Sequence, residues 1–116
     1  MRIEQEIKKV KREIFSDDWE KMKVSADRLF EIGGQENIDF LIGLLDHQNS
    51  GVRNIVALTF RNYKFNDALD PLLRAIRKKE NKGLTGTMVY ALEELDCSHK
   101  LCELFDILFD ENSWEV

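Results

Sequence analysis

The chain has 116 residues, the length of one domain, and its 43% hydrophobic and 34% charged content is typical of a globular protein and excludes a disordered one. No run approaches the roughly 18 apolar residues of a membrane helix, and the charged N-terminus lacks the apolar core of a secretory signal. Two cysteines cannot form a disulfide framework, so a reduced, cytoplasmic protein is expected.

The net charge of −5 is concentrated at one end of the chain. Residues 101–116 hold no lysine or arginine and five acids, which are Glu103, Asp106, Asp110, Glu111 and Glu115. An acidic end argues against binding to a phosphate backbone and favours a basic partner. The alternative is a solvated helix face that keeps the protein soluble.

The first half of the chain predicts three helices. In residues 1–15 the apolar positions lie three or four residues apart and form one stripe, which consists of Ile3, Ile7, Val10 and Ile14. Ser16 or Asp17 is predicted to cap a second helix that ends at Gly33-Gly34, where glycine tolerates a left-handed cap. A third helix is expected over about 35–47.

The second half predicts four more helices, over about 52–63, 67–79, 84–96 and 99–111. Pro71 should lie in the first turn of the fifth helix, where its missing N–H is harmless. Arg53, at the start of the fourth, is expected to make a structural hydrogen bond or ion pair across the inter-repeat turn, with Asp67 or Asp70 as the candidate partner, and not to contact a ligand. No segment alternates with the period of two typical of strands, so an all-α fold is predicted.

The chain also repeats itself. Residues 29–45, 60–76 and 92–108 align without a gap, so that Leu41, Leu72 and Leu104 coincide. The three segments begin 31 and then 32 residues apart. Apolar positions that recur in phase at a period of this length indicate stacked helical pairs, since one pair alone cannot bury its apolar face. The repeats are predicted at 17–48, 49–81 and 82–116, after an N-terminal capping helix over 1–15.

These repeats resemble HEAT repeats, especially the short variant of phycobilisome lyase-type proteins. The middle unit carries the resemblance in Val52-Arg53 and in residues 67–73; the Val-Arg pair does not recur at Lys21-Met22 or Leu84-Thr85. The resemblance implies a single domain over 1–116, built as a short α-solenoid of three helical pairs plus the N-terminal helix. It also implies a concave face that binds proteins, lined by the second helix of each pair.

Helical geometry at about 100° per residue assigns the positions that would line that face. They are Glu36, Asp39, Gly43, Asp46, Asp67, Asp70, Arg74, Arg77, His99, Cys102, Asp106 and Phe109. The set is mixed in charge with an acidic excess. Phe109 breaks the polar pattern of its equivalents and is either a partner anchor or packing at the end of the stack.

No catalytic, metal or cofactor site is predicted. His47 and His99 lack a metal-ligating neighbour one helical turn away, and the Cys97, His99 and Cys102 group would need a fourth ligand from Asp96 or from another helix. No phosphate-binding loop or nucleophilic triad is present. A basic cluster without interleaved aromatics, in a chain of pI about 5.1, argues against nucleic acid.

The two tryptophans lie at opposite ends of the repeat region. Trp19 is expected to be core or a staple against the N-terminal helix. Trp114 either folds back over the open end of the stack or is offered to a partner. The sequence favours the first role for Trp114.

The sequence therefore predicts a non-enzymatic protein-binding module. Its most concrete form is a bacterial immunity protein or antitoxin that covers the active site of a basic toxin. The alternative is an accessory scaffold or chaperone-like subunit of a larger complex. The partner is expected to bind a surface that contains Asp39, Asp70, Asp106, Phe109 and Asp110.

Overall fold

A computed structural model describes residues 2–96, of which 75% are helical and none lies in a strand. The all-α prediction is therefore confirmed for this part of the chain. The six α-helices are α1 (Ile3–Glu13), α2 (Trp19–Ile32), α3 (Gln35–Gly43), α4 (Ser50–Asn62), α5 (Leu69–Ile76) and α6 (Gly86–Leu92). Short 3₁₀ turns lie at Leu44–Asp46, Asn66–Ala68 and Lys79–Asn81.

The chain divides into two compact units, Met1–Thr59 and Phe60–Val116, and the division falls within α4. In the first unit α1 packs on α2, and α2 packs on α3. In the second unit α5 packs on α6. The predicted seventh helix lies outside the described residues, and the stacking of helical pairs into a solenoid stays a prediction.

The apolar stripe of α1 becomes more buried toward the end of the helix. Ile3 is 50% exposed, Val10 is 8% exposed and Ile14 is fully buried. A bidentate ion pair also joins α1 to α2, since Arg28 Nε and Nη2 lie 2.6 and 2.9 Å from the two carboxylate oxygens of Glu6. Helix α1 is therefore held by apolar burial at its C-terminal end and by an ion pair in its N-terminal half.

The start of α2 differs by one residue from the prediction. The N-cap is Asp18, whose Oδ1 accepts the backbone N–H of Glu20 at 3.1 Å, and not Ser16 or Asp17. Ser16 Oγ instead accepts the N–H of Asp18 at 3.0 Å, which fixes the turn ahead of the helix. The predicted glycine stop is confirmed, because the residue that caps the C-terminal end of α2 is Gly33, which has a φ of 71°.

Three helices are shorter than predicted. Helix α3 changes to a 3₁₀ turn after Gly43, α5 spans only Leu69–Ile76, and α6 spans Gly86–Leu92. Buried Asn81 gives a physical reason for the end of α5, since its Nδ2 donates to the carbonyl oxygen of Ala75 at 2.7 Å. The same carbonyl oxygen also accepts the backbone N–H of Lys78 at 3.3 Å, so a side chain and a tight turn together satisfy the end of the helix. Pro71 lies in the first turn of α5, as predicted.

Most aligned apolar positions are buried alike. Leu29 and Phe60 are fully buried and Leu92 is 6% exposed, while Leu41 and Leu72 are both fully buried. Three aligned positions differ from this pattern, because Tyr63 is 39% exposed and Ile32 and Ile38 are only partly buried. Leu104 lies outside the described residues. The repeat therefore predicted the core correctly at these five positions.

Arg53 has the structural role that the sequence predicted, with different partners. Its side chain is buried, and Nη1 donates to the carbonyl oxygens of His47 at 2.7 Å and Gln48 at 3.0 Å. Both bonds hold the turn ahead of α4, where Asn49 Oδ1 accepts the N–H of Gly51 at 2.7 Å. The residue therefore orders the chain between α3 and α4 from inside the protein.

Candidate functional site

The outward positions predicted for α3 and α5 are all exposed. They are Glu36, Asp39, Gly43 and Asp46 in the first unit, and Asp67, Asp70, Arg74 and Arg77 in the second. The angular prediction is therefore confirmed at these eight positions. His99, Cys102, Asp106, Phe109 and Asp110 lie outside the described residues.

The exposed face of α3 and its 3₁₀ extension is acidic. Glu36, Asp39 and Asp46 extend over about 15 Å at 1.5 Å per residue, and this face holds no base. Gln35 Nε2 donates to Oδ1 of Asp39 at 2.7 Å, which restrains that carboxylate on the surface. Gly43 adds no side chain between the acids, so a partner backbone can approach closely there.

The exposed face of α5 is balanced in charge. Asp67 and Asp70 lie at its N-terminal end, and Arg74 and Arg77 lie toward its C-terminal end. This order suits the helix dipole, which favours acids near the N-terminus and bases near the C-terminus. The charges on α5 therefore have a structural explanation, whereas Asp39 and Asp46 on the α3 face are not placed to gain from the dipole.

An aromatic surface that the sequence analysis missed lies between α1 and α2. Trp19 is 56% exposed and Phe15 is 47% exposed, so the expected core or staple role of Trp19 is wrong. By helical periodicity Trp19 lies on the same face of α2 as the buried residues Met22, Ala26 and Leu29. It is the first residue of the helix, however, and more than half of its side chain is exposed. Recognition of Asp18 as the N-cap would have placed Trp19 at this open position.

A second aromatic lies in an ion-paired cluster in the second unit. The Arg61 guanidinium lies 3.9 Å from the ring centroid of Tyr90, and Arg61 Nη2 lies 3.6 Å from carboxylate oxygens of Glu93 and of Glu94. Arg61 Nε also donates to the Tyr90 carbonyl oxygen at 3.3 Å. The aromatic face and both carboxylates thus share one cation.

A cleft of about 520 Å³ opens between α1 and the start of α3. Its charged walls are mixed in sign, because Lys8 and Lys11 are matched by Glu4 and Glu36. The Lys11 ammonium also lies 4.8 Å from the ring centroid of Phe40. The cleft therefore presents no single charge to a ligand.

The ion pair between α1 and α2 shifts the titration of its members. Hydrogen bonds from Arg28 lower the pKa of Glu6 from its usual value, and partial desolvation opposes that shift. The same contact raises the pKa of Arg28. Both directions follow from stabilisation of the charged forms, and they mark a structural contact between helices.

Within residues 2–96, no group of three or more His, Cys, Asp or Glu side chains could hold a metal ion. In the same residues, no helix is long and apolar enough to cross a membrane. Comparisons with protein-family models, with curated proteins and with solved structures found no match. The resemblance to HEAT repeats stays a prediction from the sequence.

Proposed function

We propose that the chain is a non-enzymatic protein-binding module that takes a basic partner on the acidic face of α3. The observation that supports this proposal is the exposed row of Glu36, Asp39 and Asp46, to which α3 and its extension add no base. Lys8 and Lys11 of α1 oppose Glu36 at the cleft end of this row. A row of this kind raises the association rate of a positively charged protein and makes the rate depend on salt.

The most concrete form of this function is a cytoplasmic immunity protein or antitoxin of a bacterium. The chain would neutralise a basic toxin by covering its active site, with Asp39 and Asp70 as described members of the binding surface. Asp106, Phe109 and Asp110 complete the proposed surface from outside the described residues. In this arrangement the acids steer the encounter, and Phe109 serves as the apolar anchor.

The test begins with the protein encoded next to this chain in its host. That protein is expressed alone and together with this chain, and growth of the cells is measured. Toxicity that this chain relieves would support the immunity role. A protein without toxicity that binds this chain would support the alternative role as an accessory scaffold or chaperone-like subunit.

A charge reversal then tests the surface itself. Asp39→Lys should slow association with the identified partner, whereas Glu80→Lys, an exposed position outside the proposed surface, should have a smaller effect. Both variants change the net charge equally, so the comparison separates a local surface from general attraction. Equal slowing by the two variants would contradict the proposed position of the surface.

A further inference from the structure

The side of α1 that points away from the protein is basic. Val10 is 8% exposed and Ile14 is fully buried, so the apolar stripe that contains them gives the inward direction of the helix. At 100° per residue, Lys8, Lys9 and Arg12 lie within about 50° of the opposite direction, and all three are exposed. No acid of α1 lies in that sector. This face of α1 therefore presents three cations to solvent.

Neither the helix dipole nor ion pairing accounts for this basic face. The effect of the dipole is confined to the last turn of α1, which contains Arg12 but not Lys8 or Lys9. Lys9 lies 3.8 Å from a carboxylate oxygen of Glu13. Lys8 and Arg12 pair with no carboxylate within residues 2–96. The charge of this face is thus available to a partner.

The exposed face of α3 has the opposite charge and borders the same cleft. Lys8 and Lys11 of α1 and Glu36 of α3 all line that cleft, whose volume is about 520 Å³. Asp39 lies one turn further along α3 and is also exposed. Both helices belong to the first compact unit. Each copy of the chain therefore carries a basic face and an acidic face on the two sides of one cleft.

Two-fold symmetry would bring these complementary faces together. If two copies face each other about a two-fold axis that runs along the cleft, α1 of each copy lies opposite α3 of the other. The same contact then forms twice. Arrangements that place α1 opposite α1 would bring cations together, and this repulsion disfavours them. The charge pattern thus favours one arrangement of the two copies.

We propose that the basic face of α1 binds the acidic face of α3 in a second copy of the chain and forms a symmetric dimer. The proposal rests on the proposed function for the α3 face and adds the α1 face as its complement. Exposed charge pairs stabilise a complex weakly and are screened by salt, so the dimer is weak and dissociates at high salt. A basic protein partner competes with the second copy for α3.

Sedimentation velocity of the full chain at low salt, from about 10 μM to about 1 mM, tests the dimer. The wild-type chain should associate. Lys9→Glu with Arg12→Glu should weaken association about ten-fold or more, because acids then face the acids of α3. Arg74→Glu with Lys79→Glu is the matched control, since both residues are exposed in the second unit and the net charge changes equally. It should weaken association about two-fold at most. Circular dichroism verifies that the variants remain helical.

Complementation of two variants makes the result specific. Glu36→Lys with Asp39→Lys should also weaken association alone, but its equimolar mixture with the α1 variant should associate like the wild-type chain. Both contacts of the mixed dimer then join opposite charges. A wild-type chain that stays monomeric, an equal loss in the matched control, or a mixture that stays monomeric would each overturn the proposal. None of these results involves the basic protein partner, so the proposed function is tested separately.

Discussion

Helices α3 and α5 occupy equivalent places in the sequence repeat, yet their exposed faces differ. Their central inward positions match, since Leu41 and Leu72 are both fully buried. The flanking positions are more exposed on α3, where Ile38 and Ile42 are only partly buried. Their outward positions do not, because α3 and its extension present three acids while α5 presents two acids and two arginines. The charges of α5 suit its own dipole. The comparison separates the buried core positions, which the repeat requires, from the charges of the exposed positions, which the repeat does not determine.

The largest expected effect concerns the shared core. Leu72→Ala should lower the free energy of unfolding by about 2–5 kcal/mol, because a fully buried leucine leaves a cavity when it is truncated. Leu41→Ala should cost a similar amount. Chemical denaturation measures both, and a loss below about 0.5 kcal/mol at either position would break the equivalence of the two helices.

A smaller effect is expected at Asn81 and Asn49, two asparagines that lie at the boundaries between the predicted repeats. Asn81→Ala should cost about 1–3 kcal/mol, since it leaves the buried Ala75 carbonyl without its side-chain donor. Asn49→Ala should cost about 1 kcal/mol, because Asn49 only caps α4 at an exposed turn. Denaturation of the two variants side by side measures the difference, and the reverse order would contradict these roles.

The ion pair that joins α1 to α2 predicts a dependence on pH. Because folding lowers the pKa of Glu6, the stabilisation is present above the unfolded pKa and is lost as the pH falls through the folded value. Glu6→Gln should therefore lose less stability on acidification than the wild-type chain. Thermal unfolding of both proteins at neutral and at acidic pH measures this difference. An equal loss of stability on acidification in the two proteins would contradict a role of Glu6 in the pH dependence.

The smallest expected effect on stability is at the proposed binding face. Asp39→Asn should change the free energy of unfolding by less than about 0.5 kcal/mol, since Asp39 is exposed and accepts a hydrogen bond from the neutral Gln35 side chain. Denaturation measures the change. A loss comparable with that of Asn81→Ala would assign Asp39 a structural role instead of a binding one.

The sequence predicted the core better than the helix ends. Burial of Leu29, Leu41, Phe60 and Leu72 followed from the repeat, because apolar periodicity reports which face a helix buries. The early end of α5 did not, since periodicity does not report the bonds that the Ala75 carbonyl oxygen accepts from the Asn81 side chain and the Lys78 N–H.

For the candidate surfaces, the exposed face of α3 was predictable from angles alone. The exposure of Trp19 was not, since periodicity places it on the buried face of α2. The choice of Asp18 as N-cap puts it at the uncovered end. The hydrogen bond that makes Asp18 the N-cap therefore places Trp19 at the exposed first position of α2.

The most direct test compares α3 with α5 in the association rate of the identified protein partner, measured by stopped flow at low and high salt. Glu36→Gln with Asp39→Asn removes two negative charges from α3. The α5 pair, Asp67→Asn with Glu80→Gln, removes two from the turns that flank α5, at exposed positions outside the proposed surface. We expect the α3 pair to slow association about two- to ten-fold at low salt, and more than the α5 pair, with the difference vanishing at high salt. An equal or greater effect of the α5 pair would contradict the proposal that α3 provides the dominant binding surface.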